Sequence, residues 1–458
     1  MTGPVPNPLK QVLTVLGEDV PCITYDGWGN MTPDGYFKFT LGPHDFRDKV
    51  LDKLGGPSAV PEFDRLLEEC MPLVEAASAL PPLALRSDKW AVVTLLRFLP
   101  QLLRVIPLAE ELNGPFTTIT DKVPVTDSFL SNWLDLLAFS LSGLPASGTT
   151  GAASAYVMGD LHREGAVLDY PVGGSGTIIS ALVSALKRHG GELRLGTHVE
   201  QVLVEDGKAV GVRLRGKNKA DIRARKAVVL NTDIWTGAKL LPEGSIPEEY
   251  RASIDESPHT MSFMHLHLGV EGPLPEGTDP HYTVWSRWND TLGEQNMIAV
   301  SIPTVLDPSL APPGKHIIHA YGAANEPYEL WEGLERGTPE YEKLKEERVQ
   351  ALWEAVERVV PDVRAKAKVT LVGSPLTHER FLRRSRGTYG PGFEAGKQLF
   401  PSPADTPLPG LLCCGDSVFP GIGVPAVAVS GANVANTLVS VVKHWQLVSE
   451  ALKASGAA

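Results

Sequence analysis

The stretch Leu411-Leu-Cys413-Cys414-Gly415-Asp416-Ser417-Val418-Phe419-Pro420-Gly421-Ile422-Gly423-Val424-Pro425-Ala426 joins an apolar run to a Gly-Asp turn and then to a run of small residues. The pattern predicts strand, tight turn and helix. Glycine lets a backbone approach a ligand closely. A helix N-terminus offers unpaired N–H groups and a partial positive charge to an anionic or electron-rich group. Pro425 suits the first helical turn, where its missing N–H costs nothing. Asp416, at the strand end, can accept hydrogen bonds from sugar or polyol hydroxyls. Gly421-x-Gly423-x-x-Ala426 fits a G-x-G-x-x-A fingerprint, yet residues 427–458 supply neither the second strand nor the acidic residue of a dinucleotide-binding unit. The segment is therefore read as a second contact to a cofactor.

Other residue groupings carry less. Ser262–Val270 alternates in strand fashion, so His265 and His267 share one face, as metal ligands could. No third ligand of suitable spacing lies nearby in the sequence, and the expectation is a cavity-lining face with hydrogen-bonded histidines and no metal. Gly174-x-Gly176 is a poor dinucleotide turn, because Ile179 occupies the third fingerprint position and Pro171 interrupts the preceding run. Arg380, Arg383, Arg384 and Arg386 form either a solvated face or a contact to an anionic cofactor or lipid head groups. G-x-S-x-G, H-E-x-x-H, P-loop and paired-carboxylate signatures are absent, and no catalytic acid or base can be named. When side chains set no chemistry, a cofactor can carry it.

Several motifs in order along the chain resemble one family. They are Tyr170-Pro-Val172-Gly173-Gly174, Ser301-Ile-Pro303 through Asp307-Pro308 to Pro312-Pro-Gly314, Pro375-Leu-Thr377-His378-Glu-Arg380-Phe, Arg386-Gly387-Thr-Tyr389-Gly390, and Gly415-Asp416-Ser417 through Gly421, Gly423 and Ala426 to Ser430-Gly431. Together they resemble the phytoene desaturase and carotenoid isomerase flavoproteins, the isomerase branch most. The resemblance implies an α/β fold, with a Rossmann-like FAD/NAD(P)-binding domain of the amine oxidase type and an interleaved α+β substrate domain. It implies FAD as cofactor and a carotenoid or other apolar polyene as substrate. The expected activity is cis–trans isomerisation of a poly-cis-carotene, with desaturation, or flavin-free binding of isoprenoid lipids, as alternatives. Cofactor contacts are expected from Gly415, Asp416, Ser417, Gly421, Gly423, Val424, Pro425 and Ala426, with Val199, Asn231, Gly173 and Gly174 also near it. Family members open with a G-x-G-x-x-G unit. This chain resembles a member lacking it, so the cofactor domain is expected to be N-terminally incomplete. Val172 stands where members often carry lysine.

The expected organisation is residues 1–165 as a helical part of the substrate domain, 166–245 as a cofactor segment, 246–367 as the sheet part, and 368–458 as the C-terminal cofactor segment. Helices are expected over Asn7–Leu16, Asp45–Leu54, Val60–Leu80, Thr126–Ser142, Gly176–His189 and Pro339–Val360. Pro21–Phe39 reads as a hairpin and Ser147–Ala153 as a loop. Strands are expected over Glu192–Leu195, Val199–Glu205, Val210–Leu214, Ala227–Asn231, Asn296–Ile302 and His316–Ala323. Lys89–Leu108 is the most apolar stretch, with Arg97 and Arg104 on one helical face and Pro100 and Pro107 breaking it. It reads either as a helix lying in a membrane surface or as a cap over an apolar pocket.

Composition is that of a globular protein: 458 residues, 43% hydrophobic and 21% charged. A net charge of -12, with no basic run, argues against a nucleic-acid partner. The four cysteines, Cys22, Cys70, Cys413 and Cys414, make no metal spacing, and adjacent Cys413 and Cys414 read as small buried residues rather than a redox pair. Residues 1–8 form a Pro-rich lead with no targeting signal. The resemblance places the protein peripheral to a membrane, in the plastid for a photosynthetic eukaryote and otherwise in the cytoplasm.

Overall fold

The structure, a computed structural model, describes residues 7–78, 80–216 and 220–454. Most of the Pro-rich lead lies outside them. Fourteen strands are present among the described residues: β1 (Cys22–Tyr25), β2 (Gly27–Thr32), β3 (Gly35–Thr40), β4 (Leu168–Pro171), β5 (Val199–Glu205), β6 (Lys208–Leu214) and β7 (Asp221–Arg223). Then come β8 (Val228–Leu230), β9 (Ser262–Glu271), β10 (His281–Trp285), β11 (Met297–Ser301), β12 (Lys315–Glu326), β13 (Ala367–Gly373) and β14 (Leu411–Cys413).

The largest sheet runs β13-β9-β12-β11-β10-β2-β3, antiparallel except where β10 meets β2. The two-residue period of a strand gives it two unlike faces. Met264, Leu266, Leu268, Ile298, Val300, Ile318 and Ala320 point one way and are buried with Leu352, Val356 and Val359 of the helix Gln350–Val359. The half-buried Phe263, His265, His319 and Tyr321 alternate with them and line the opposite face.

The helices Ala59–Ala77, Ser128–Ser142 and Gly151–His162 form a second core around Phe39, Phe46, Phe63 and Trp133, whose rings pack 4.9 to 5.5 Å apart. The carboxylate of buried Glu62 accepts from the backbone N–H groups of Thr126 and Asp127, at 2.9 and 3.0 Å. It thus fixes the entry to Ser128–Ser142.

The remaining layer holds the parallel pair β8–β14, the antiparallel sheet β5-β6-β7 and three packed helices. Leu9 and Leu13 of Pro8–Val15 pack against Ile178 and Leu182 of Gly176–Arg188 and Ala428 of Val424–Thr437. Asn7 caps the first of these, its Oδ1 accepting from Leu9 N–H at 3.0 Å.

Two sequence expectations change. Glu192–Leu195 is not a strand, and a helix begins at Gly151 inside the expected loop. No residue of that helix is exposed, so it lacks a polar face to announce it. β13 pairs with β9, so 367–373 extends the large sheet. β2 and β3, from the stretch read as a hairpin, join the same sheet.

Candidate functional site

β14 ends at Cys413, and Cys414 N–H donates to Leu230 O of β8 at 2.8 Å. The chain then turns through Gly415, whose φ of +103° suits glycine. A Cβ there would stand 2.5 Å from Asn231 Oδ1, so the turn and Asn231 are in close contact. Gly415 N–H donates to the buried Ser430 hydroxyl at 2.9 Å, and that hydroxyl donates to Val427 O at 2.9 Å. The turn is thereby tied to the helix it precedes.

The helix Val424–Thr437 starts at Gly423, with φ +109° and open space where a Cβ would be. Gly423, Val424 and Pro425 are exposed and Ala426 is half-buried. The first N–H groups of a helix have no partner within it, so this end presents free donors to solvent beside the Gly415 turn. Ser417 is buried, its hydroxyl 3.4 Å from Asp416 Oδ1. Gly421 is buried against the Phe400 ring.

Asp416 Oδ2 lies 2.8 Å from the Arg384 guanidinium, both largely buried. Arg384 also donates to Thr388 O at 2.9 Å and Tyr389 O at 3.1 Å. The loop it grips is held from beneath: Thr388 Oγ1 donates to Thr260 O at 2.7 Å, and Thr260 Oγ1 donates to Gly390 O at 2.9 Å. Of the four arginines, Arg384 is therefore the one aimed at the candidate site, whereas Arg386 pairs with Glu329.

Tyr389 leads from this turn onto the open face of the large sheet. Its ring is 5.4 Å from Phe263, which stacks on His378 at 4.6 Å. Farther along, Tyr321 lies 4.8 Å from His319, and Tyr25 and Tyr170 flank His281 at 5.4 and 6.4 Å. Burial pushes the Tyr389 phenol up to about 12, with Tyr321 and Asp416 adding to it. Burial, then neighbouring Tyr170 and Tyr321, does the same for Tyr25. Burial pushes His281 down to about 4. At neutral pH the lining is uncharged here, as an apolar ligand requires.

The structure brings Gly415, Asp416, Ser417, Gly421, Gly423, Val424, Pro425, Ala426 and Asn231 together. Val199 sits opposite Leu214 in the three-stranded sheet instead. Gly173 and Gly174 form a turn in which Gly173 N–H donates to Asp307 Oδ2 at 2.8 Å. Two of the sequence motifs thus meet each other. Burial, with neighbouring Cys414, pushes the Cys413 thiol up to about 12, which fits a packing role for the pair. The part played by His319 has no signal in the sequence. It pairs with His267 across β12–β9, a register that spacing along the chain does not reveal.

The run Ala91–Asn113 is, among the described residues, the one helical stretch long and apolar enough to cross a membrane by length and composition, and only 11% of its most apolar window is buried. Val92, Leu96, Leu103 and Ile106 are each more than half exposed. A groove of about 800 Å³ separates it from Val442 and Trp445 near the C-terminus.

A Gly-Asp turn under an open helix N-terminus thus adjoins a sheet face lined by aromatic rings, in an α/β fold. Residues 63–439 match the family model described as flavin containing amine oxidoreductase, and the chain belongs to that family. Its cofactor is a flavin. Among sequence relatives, a chloroplastic prolycopene isomerase of an Oncidium hybrid cultivar is 38% identical over 325 residues, covering 69% of this chain and 53% of that protein. The chloroplastic prolycopene isomerase of Daucus carota is 36% identical over 322 residues, covering 69% and 51%. A neurosporene-forming phytoene desaturase of Rhodobacter capsulatus is 27% identical over 289 residues, covering 59% and 53%. The chain spans about half the length of these relatives. Of solved structures, an oxidoreductase from Methanosarcina mazei aligns with a TM-score of 0.57 at 19% identity, covering 94% of this chain and 85% of that one. Putrescine oxidase bound to putrescine aligns at 0.58 and 14%, covering 96% and 85%. These likenesses establish the fold.

Proposed function

We propose that the protein is an FAD-dependent carotenoid isomerase-like enzyme that converts a poly-cis-carotene toward the trans form. The observation that carries this reading is the Gly415–Asp416 turn, open at the helix N-terminus and continuous through Tyr389 with an uncharged aromatic sheet face. The residues present fit a flavin: free N–H donors at Val424 and Ala426, a backbone at Gly415 that a ligand can approach, and a carboxylate at Asp416 for hydroxyl groups. The chemistry supplied on flavin binding is reversible electron exchange with a conjugated system. Arg384 holds the Asp416 carboxylate in place. Phe263, Tyr321 and Tyr25 offer flat apolar surface on which an extended polyene would lie and be shielded from water. No side chain is assigned as acid or base.

Desaturation is the second reading, favoured by the phytoene desaturases among the relatives. The two differ in redox balance. Isomerisation returns the electrons it borrows, whereas desaturation removes them and needs an acceptor. The test is anaerobic incubation of the purified chain with reduced FAD and a poly-cis-carotene in lipid vesicles, then separation of the carotenoids. The isomerase reading predicts all-trans product of unchanged mass and no acceptor requirement. Product lighter by pairs of hydrogens, formed only with an electron acceptor, would favour desaturation. Unchanged substrate under both conditions would contradict the proposal.

We further propose that 89–108 lies in a membrane surface, with Val92, Leu96, Leu103 and Ile106 dipping into the lipid. For a photosynthetic eukaryote the chloroplastic relatives point to a plastid membrane.

A further inference from the structure

Four of the protein's twelve histidines meet on the open face of the large sheet. His265 and His267 are two apart on β9 and so share that face. His319 on β12 stands directly across from His267. One ring nitrogen from each of these three can be chosen so that all lie within 4.8 Å of one another. His265 Nδ1 and His319 Nε2 are 2.9 Å apart. The His267 and His319 rings stack with centroids 4.1 Å apart and planes within 6°. His378, on the helix Pro375–Leu382, touches His265 through Nε2 of both rings, and the two ring planes differ by 4°.

We propose that His265, His267 and His319 form a binding site for one divalent transition-metal ion, with His378 positioning His265.

Two features support the assignment. First, one ring nitrogen from each of the three histidines lies within 4.8 Å of the others on one sheet face. On a tetrahedral zinc, nitrogens at about 2.0–2.1 Å from the ion stand roughly 3.4 Å apart. A lone pair lies in its ring plane and the His267 and His319 planes are within 6°, so uptake requires the exposed His267 ring to turn out of the stack until its lone pair meets those of the other two. Second, an outer partner is in place. His378 Nε2 contacts His265 Nε2, which leaves His265 Nδ1 as the nitrogen facing His319, and metal-binding histidines are commonly oriented by such a contact at the other ring nitrogen.

The donor set decides the class of ion. Three neutral imidazoles suit zinc, copper, nickel or ferrous iron, and give magnesium or calcium no oxygen ligands. Three ligands leave a coordination position for water or an added ligand, as in sites that do chemistry rather than hold a fold together. His267 is the exposed member and marks the route of entry. The site shares the sheet face with Phe263 and Tyr321 but uses none of the residues assigned to the cofactor, so it stands independently of the flavin reading.

The test uses the untagged full chain, stripped with a chelator and titrated with cobalt(II) and then zinc(II). Binding is read by calorimetry and by the visible cobalt bands that report imidazole ligation. Wild type is expected to take up one ion per chain, with zinc displacing cobalt. His267→Gln, at the exposed rim, and His319→Gln should each weaken binding at least tenfold, while His198→Gln, outside the cluster, should leave it unchanged. Circular dichroism of each variant verifies that the fold persists. His267→Gln is the variant least able to disturb it. No saturable uptake by wild type at tens of micromolar metal would overturn the proposal. So would affinity and cobalt spectrum unchanged in folded His267→Gln.

Discussion

Replacing Gly415 by alanine perturbs the candidate cofactor turn at its tightest point. The residue sits at φ +103°, where an L side chain costs about 1–3 kcal/mol of backbone strain. The new Cβ would also stand 2.5 Å from Asn231 Oδ1, well inside contact distance, so one of the two must move. That overlap adds about 1 kcal/mol, by comparison with overpacked sites. Two quantities should therefore fall together. The urea midpoint of unfolding drops by the strain, and affinity for FAD drops about 5- to 30-fold if the displaced turn loses 1–2 kcal/mol of binding. The overlap can be separated from the strain by a double-mutant cycle with Asn231→Ala, which removes the clashing atom and leaves φ unchanged. Gly415→Ala should then cost about 1 kcal/mol less in the Asn231→Ala background than in wild type. Equal costs in the two backgrounds would refute the contact. Unaltered FAD affinity in Gly415→Ala would refute the place of this turn in the cofactor site.

Arg348 donates to the fully buried Glu326 carboxylate at 2.8 and 2.9 Å, so Arg348→Met should destabilise the fold by about 3–5 kcal/mol, and adding Glu326→Gln should recover part of it, both read by urea denaturation. Burial pushes His162 down to about 4 among Phe39, Phe46 and Phe63. Its folded value lies below the unfolded 6.5, so stability is complete above that pH and falls as pH drops toward about 4, by about 3 kcal/mol for this group. His162→Phe should flatten that part of the acid denaturation curve, and an unchanged curve would count against the assignment. Leu96→Asp and Leu103→Asp should each weaken co-sedimentation with anionic vesicles more than tenfold, since burying a leucine in lipid is worth about 1.5–3 kcal/mol. Absence of vesicle binding by wild type would contradict the membrane-surface proposal.

The range of each interaction decides whether the sequence discloses it. The strand, turn and helix around Gly415 are local: glycines, a proline at the first helical turn and small residues mark them one by one. The common face of His265 and His267 is equally local, because strand alternation places residues two apart side by side. His319 is 54 residues from His265 and His378 is 113, and only the pairing of β12 with β9 and the docking of Pro375–Leu382 unite them. Arg384 is visible in the sequence only as one of four arginines. Its reach to Asp416 depends on the turn that buried Thr260 and Thr388 hold. The start of the helix Gly151–His162 looks like a loop in the sequence because glycine and small polar residues precede and open it. Gly159 within it is there for packing: a Cβ on it would meet Val74 at 2.5 Å, so the helix comes close against Ala59–Ala77. The position of β13 at the edge of the large sheet is likewise a matter of long-range register.

The central claim is that the turn Gly415–Asp416 and the helix beginning at Val424 contact a flavin. The most direct measurement is a titration of the purified chain with FAD, monitored by the visible spectrum and by quenching of flavin fluorescence, in wild type and Asp416→Ala. The account predicts saturable one-to-one binding with a shifted flavin band, weakened at least tenfold by Asp416→Ala. No binding to wild type at tens of micromolar FAD, or equal binding by the two proteins, would contradict it.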